Sequence, residues 1–146
     1  MRTVRDEDGN RLLLVKQSDE SSRVRDPETG AERYVENDQL TQLDEEAPLS
    51  TAALGVPEAV RDVVSAAHDE RSLGLLVELA DDGPLSVVEL LDAYELCESD
   101  LHGLLAEFRA AGLIAEADVA GRRGYEATDT TKQAVELLRD ETADDA

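Results

Sequence analysis

The chain has 146 residues, 35 Asp and Glu against 14 Lys and Arg, and a formal net charge of −21. No apolar run approaches the roughly 18 residues of a spanning helix, Met1-Arg2-Thr3-Val4-Arg5-Asp6 has no apolar stretch behind its charges to make a signal peptide, and the single Cys97 excludes an internal disulfide framework or a Cys-rich zinc site. The expectation is a cytoplasmic protein without membrane contact, whose overall charge opposes bulk attraction to DNA.

Residues 1–43 read as strands and turns. Arg2 to Arg5 is a short strand, and Asp8-Gly9-Asn10 is a hairpin turn because Gly tolerates positive φ. Arg11 to Gln17 follows, carrying Leu12-Leu13-Leu14-Val15. Ser22 to Asp26 alternates around Val24, Pro27-Glu28-Thr29-Gly30 turns the chain, and Ala31 to Val35 returns. Leu40 and Leu43 are placed to cap the open face. The result is a small antiparallel meander of three or four strands, with too few apolar residues to stand alone. It is expected to pack on the rest of the chain or on a second copy, and it offers a surface for a protein partner.

Residues 44–56 form an acidic, Pro-bearing linker. The charge divides unevenly around it. Residues 1–48 carry 7 cations and 13 acids, net −6, and residues 49–146 carry 7 and 22, net −15.

From Pro57 the periodicity becomes helical. Val60, Val63, Val64 and Ala67 fall at i, i+3, i+4, i+7, and Leu73, Leu76, Val77 and Ala80 repeat the spacing until Asp81-Asp82-Gly83-Pro84 stops it. Ser86 with Glu89 is a capping box opening a short helix that carries Val88, Leu90 and Leu91. After a turn around Tyr94 to Cys97, Leu101, Leu104, Leu105 and Phe108 make another stripe, closed by Gly112. Leu113 to Val119 reads as a strand, 120–124 as a tight basic loop, and Tyr125 to Thr128 as its return. A last helix carries Ala134, Leu137 and Leu138, and 140–146 is a frayed acidic tail.

This order is that of a winged helix-turn-helix. Asp69-Glu70-Arg71-Ser72-Leu73-Gly74-Leu75-Leu76 through Asp82-Gly83-Pro84-Leu85-Ser86-Val87-Val88-Glu89-Leu90 resembles the opening of an ArsR-type (arsenical-resistance repressor) winged-helix domain. Leu104-Leu105 and Ala110-Ala111-Gly112-Leu113-Ile114 resemble its recognition helix and exit, and Gly121-Arg122-Arg123-Gly124-Tyr125 with Thr128 its wing. The resemblance covers residues 57–139, and the whole arrangement resembles winged-helix proteins of haloarchaea. The fold class is therefore α+β: a winged helix-turn-helix domain at 57–139 preceded by the β meander.

The resemblance implies a DNA-binding transcription regulator, dimeric through the helix from Pro57 to His68 and the terminal helix. Duplex DNA would meet the second helix of the turn, where Glu98, Ser99, Asp100, His102 and Gly103 occupy base-facing positions, Arg109 lies later on the helix, and Arg122 and Arg123 lie at the wing tip. Residues 119–125 carry net +2, and two arginines at a hairpin tip can fork onto phosphates or enter a minor groove. Their other reading is a solubilising tip paired with carboxylates. The sequence departs from its relatives where Glu98, Asp100, His102 and Gly103 replace the usual Ser, Thr, Gln and Arg. Glu98 and Asp100 suit the positive end of the helix dipole, would repel phosphate, and could accept from a cytosine amino group.

Arg23, Arg25 and Arg33 form a second cluster, read first as pairing with Asp26, Glu28 and Glu32 on a solvated face. Cys97 has no second thiol and is a small turn residue rather than a metal ligand, and His68 sits at a helix end. No cofactor and no metal are expected. No catalytic order of residues rises above chance, so the chain is not read as an enzyme. The acid-rich, Lys-poor, aromatic-poor composition resembles proteins of halophilic archaea; an acidic mimic of nucleic acid or a chaperone for a basic partner is the other reading. The spread of acids along the whole chain favours the first. The alternative to a DNA regulator is a protein-interaction module on the same scaffold.

Overall fold

The structure is a computed structural model that describes the backbone of residues 1–144 and side chains up to residue 140. The chain divides into two compact units, Met1–Pro57 and Glu58–Ala146.

In the first unit, β1 (Arg2–Arg5), β2 (Arg11–Gln17), β3 (Ser21–Arg25) and β4 (Glu32–Glu36) form an antiparallel meander. A 3-10 turn at Asn37–Gln39 then brings β5 (Thr41–Gln42) back onto β1, so the order is β4-β3-β2-β1-β5. The fifth strand, two residues long, carries no periodic signal. Both turns have the required glycine: Gly9 at φ 85° and Gly30 at φ 75°. The first is also organised by Asp6, whose carboxylate accepts from the backbone N–H of Asp8 (3.0 Å) and of Asn10 (2.9 Å).

One face of this sheet buries Val4, Leu12, Leu14, Val24 and Val35, with Leu40 packed against them as expected. The other face holds Thr3 opposite Leu13. Both are buried, because α1 (Pro48–Ala52) lies there: Thr3 Oγ1 and Thr51 Oγ1 are 2.7 Å apart. The continuous run Leu12-Leu13-Leu14 is thus covered on both faces of one strand. A short helix and a second 3-10 turn (Ala53–Gly55) therefore occupy part of the stretch expected to be linker, and supply part of the cover that the apolar-poor meander needs.

The second unit runs α2 (Glu58–Ala66), α3 (Glu70–Asp82), β6 (Leu85–Ser86), α4 (Val87–Tyr94), α5 (Glu98–Ala110), β7 (Ile114–Val119), β8 (Arg122–Ala127) and α6 (Asp129–Asp144). The three strands form one sheet in the order β6-β8-β7. Leu76, Leu90, Leu101, Phe108, Leu113 and Ala134 are fully buried at its centre. α3 is rotated from the expected stripe. It buries Ser72, Leu75, Leu76 and Leu79; of the expected Leu73, Leu76, Val77 and Ala80, Leu76 is buried and the other three are half-buried. Apolar residues surround most of this helix, so periodicity alone leaves its register open. Asp69 decides it by capping: its carboxylate accepts from the backbone N–H of Ser72 (2.8 Å) and from its hydroxyl (2.6 Å), so Ser72 can be buried with its polar atoms satisfied.

Three other stripes also differ. Val64 is 63% exposed on α2, and Val88 stands out from α4 at 45%. On α6 the buried arc is Thr131, Ala134 and Val135, while Leu137 and Leu138 are exposed at 36% and 45%. Thr131 fixes that arc, since its hydroxyl donates to the Leu113 carbonyl at 2.6 Å. The helix continues through Asp144 rather than fraying from Asp140, and residues 145 and 146, the end of the expected tail, lie outside the described residues. Among the described residues no helix is long and apolar enough to cross a membrane.

Candidate nucleic-acid interface

The helix-turn-helix is built by three local devices. The capping box starts α4: Ser86 Oγ accepts from the Glu89 backbone N–H (3.1 Å), and the Ser86 N–H donates to Glu89 Oε2 (2.9 Å). Glu95, at φ 51°, ends α4 in the left-handed region and turns the chain. Cys97 then takes the N-cap of α5 with no capping bond from its side chain, as expected of a weak cap. Its Sγ lies 3.0 Å from Ser99 Oγ, and that hydroxyl, with the backbone N–H groups of Asp100 and Ser99, holds the thiol below its ordinary range. Among the described residues no group of three His, Cys, Asp or Glu is placed to hold a metal ion.

α5 buries Leu101, Leu105 and Phe108. At 100° per residue the direction opposite that core is carried by Ser99, Gly103, Ala106 and Ala110, all exposed, small and uncharged. The charges flank this strip. On one side stand Glu98, His102 and Arg109; on the other stand Asp100 and Glu107. Glu98 Oε1 is 3.7 Å from His102 Nε2, and Glu107 Oε2 is 3.6 Å from His68 Nε2. Asp100 has no ion-pair partner among the described residues. So Ser99, Asp100, His102 and Gly103 all reach solvent, with Ser99 and Gly103 central and the other two at the margins.

The wing is β7 and β8 joined at Ala120 (φ 53°) and Gly121 (φ 82°), two consecutive positive values that match the twist of a two-residue hairpin. The Gly121 N–H donates to Asp118 Oδ1 at 2.8 Å and stiffens the tip. Gly124 is required for a different reason: a Cβ there would lie 2.5 Å from the Leu85 carbonyl oxygen and 2.6 Å from Val119 Cγ2. Its bareness lets β6 pair with β8.

Arg109 and Arg123 meet at the base of this wing. Arg109 Nη1 donates to Glu116 Oε1 at 3.0 Å, and Arg123 Nη2 donates to the same oxygen at 2.9 Å. Arg123 also donates to Tyr125 Oη at 3.0 Å and lies 5.8 Å from that ring's centroid. Arg122 stays at the tip, exposed, with no ion-pair partner among the described residues. Thus Arg109 and Arg123 are brought together and Arg122 is held apart. Glu116, which joins them, was not anticipated. Its one signal is alternation along β7, which puts Glu116 and Asp118 on the face that carries Arg123.

Residues 1–139 match a family of unknown function, DUF7346. The chain belongs to that family. No curated protein matches it. Among solved structures this DUF7346 chain is similar to a transcriptional regulator, HlyU from Vibrio vulnificus CMCP6, at 28% identity and TM-score 0.50, over 64% of this chain and 97% of that one. HlyU from Vibrio cholerae N16961 is similar at 33% identity and TM-score 0.48, over 56% and 88%. The likeness to the Vibrio vulnificus regulator confirms the α+β winged-helix fold.

Proposed function

We propose that this DUF7346 protein is a transcription regulator that binds duplex DNA as a dimer through α5 and the wing. The observation that carries this reading is the convergence of Arg109 and Arg123 beside the uncharged strip of α5. A strip of Ser99, Gly103, Ala106 and Ala110 lets the helix backbone approach a groove closely. Arg109, Arg122 and Arg123 would then meet phosphates along one flank, while Asp100 and His102 reach base edges. The similarity to a transcriptional regulator supports the same reading and gives no support to an enzyme. The exposed Val64, Leu137 and Leu138 on the first and last helices of the unit support the dimer contact. The acid-rich, Lys-poor composition supports work in high salt, where the Debye length shrinks to about 3 Å near 1 M and the charge of −21 no longer repels DNA at a distance.

A second reading has its own observation. Asp100 and Glu107 line the other flank of α5, and Asp100 has no cation beside it. On that reading the helix meets a basic protein. Selection of genomic duplex fragments by the purified protein, in potassium chloride from about 0.2 to 2 M, separates the two. Enrichment of discrete fragments supports the regulator. A folded protein that retains no fragment at any salt concentration overturns it.

A further inference from the structure

The expected cluster of Arg23, Arg25 and Arg33 does not form. Arg25 pairs across the strands with Glu32, which sets Arg33 opposite Val24, on the inner face. There Arg33 Nη2 donates to Asp6 Oδ2 at 3.0 Å. Two other residues take its place on the outer face. Lys16 stands opposite Arg23, and Arg23 stands opposite Tyr34, so a lysine, an arginine and a tyrosine lie in one row across β2, β3 and β4. Arg25 is two residues along β3, on the same face. A bulge between Leu14 and Lys16 makes the row possible, because it shifts the register and turns Lys16 to the face of Leu13.

Thr3 and Leu13, which α1 covers, lie on the same face, with Leu13 directly opposite Arg25, and the row runs from there towards β4, an edge of the sheet. Tyr34 is 66% exposed, far more than a tyrosine spends on solvent when its ring is used in a core. The cations around it have few bonds. Lys16 has no ion-pair partner among the described residues. Among the described residues the Arg25 guanidinium reaches only the Met1 thioether, a weak acceptor, at 3.8 Å. Arg23 makes the expected ion pair with Glu32, Nε to Oε2 at 3.4 Å, but its buried Nε has no hydrogen-bond partner. Glu32 and Glu36 flank Tyr34 along β4, so the open row sets three cations against two carboxylates. In a chain of net charge −21 that is a local reversal of sign.

We propose that this row binds single-stranded nucleic acid, with a base stacked on Tyr34 and the adjoining phosphates met by Lys16, Arg23 and Arg25. An exposed ring beside cations is the combination that such binding uses: the base offers a π-face, and the backbone offers charge. A duplex hides its base faces and could not use the ring. Pairs along a strand are about 6.6 Å apart and neighbouring strands about 4.8 Å apart, so the cations are spaced to follow a flexible backbone across the sheet. The row belongs to the first unit and α5 and the wing to the second, and the proposal stands whether or not those bind duplex DNA.

The test uses the full chain and a fluorescein-labelled oligouridylate of about 12 nucleotides, read by anisotropy over a series of salt concentrations. The wild type binds. Tyr34→Ala weakens binding at least about fivefold, as loss of one stacked base requires, and Tyr34→Phe restores it. Lys16→Ala/Arg23→Ala flattens the salt dependence, and Arg122→Ala/Arg123→Ala leaves oligonucleotide binding as it was. Absence of binding by the folded wild type overturns the proposal. So does equal binding by Tyr34→Ala, loss of binding in the wing variant, or displacement by polyglutamate as readily as by unlabelled oligouridylate, which would mark the row as a site for acidic protein segments.

Discussion

Arg109 on the recognition helix and Arg123 on the wing donate to one oxygen of Glu116, at 3.0 and 2.9 Å. Two cations from different elements are held where a single anion bridges them, and that anion is the protein's own. A phosphate arriving at this edge must compete with the carboxylate for the same donors. Glu116→Gln therefore tightens duplex binding. The pairs are solvent-exposed and weak, so the gain is a few-fold at low salt and fades as salt rises. Titration of one duplex against both proteins by anisotropy checks it.

The wing depends on Gly124. A methyl group there meets the Leu85 carbonyl at 2.5 Å and must push β6 from β8. Gly124→Ala costs about 1–3 kcal/mol, the usual range for a side chain forced into filled space. Thermal unfolding followed by circular dichroism should show the loss, and duplex affinity should fall with it.

Acid acts on the first unit through Asp6. Its carboxyl is nearly buried, which alone would raise its pKa, but hydrogen bonds from Asn10, from the Asp8 backbone and from Arg33 outweigh burial and hold it below the ordinary 3.8. A lowered folded-state value stabilises fully above the ordinary one and is lost as pH falls through the folded value. Asp6→Ala leaves backbone donors of the first hairpin unpaired and costs about 1–3 kcal/mol near neutrality. The gap in melting temperature between the variant and the wild type should close as pH falls below 3.8.

The dimer proposed through α2 and α6 predicts a monomer when its apolar face is charged. Val64 and Leu138 are 63% and 45% exposed, so Val64→Glu and Leu138→Glu should leave the fold intact. Sedimentation equilibrium should give a dimer for the wild type and a monomer for the double variant. A wild-type monomer at all concentrations contradicts the proposal.

The winged-helix order was legible because its boundaries are chemical. Ser86 with Glu89, Gly112 and Gly121 each mark an end or a turn that few other residues could make. The register of α3 was not, because Leu73, Leu75, Leu76, Val77 and Leu79 surround the helix and the Asp69 cap that orients it looks like any other acid in this composition. Composition hid Glu116 in the same way. α1 has one turn and a half, with Leu49 84% exposed, so it offers no stripe to read. Arg33 was placed with the wrong neighbours because its face follows from the closing pair Arg25–Glu32, which no local signal specifies. Of the expected DNA residues, Glu98 and His102 are neighbours one helical turn apart, whereas Arg109 and Arg123 are joined through Glu116, and only the three-dimensional pairing of β7 with β8 and α5 shows that.

The central claim is that α5 and the wing hold duplex DNA by its phosphates. The slope of log affinity against log potassium chloride measures that directly, since each neutralised phosphate contributes about 0.9. Arg122→Ala/Arg123→Ala should weaken binding and reduce the slope by about 1.8, with the fold retained. An unchanged slope and affinity in the folded double variant would contradict the account.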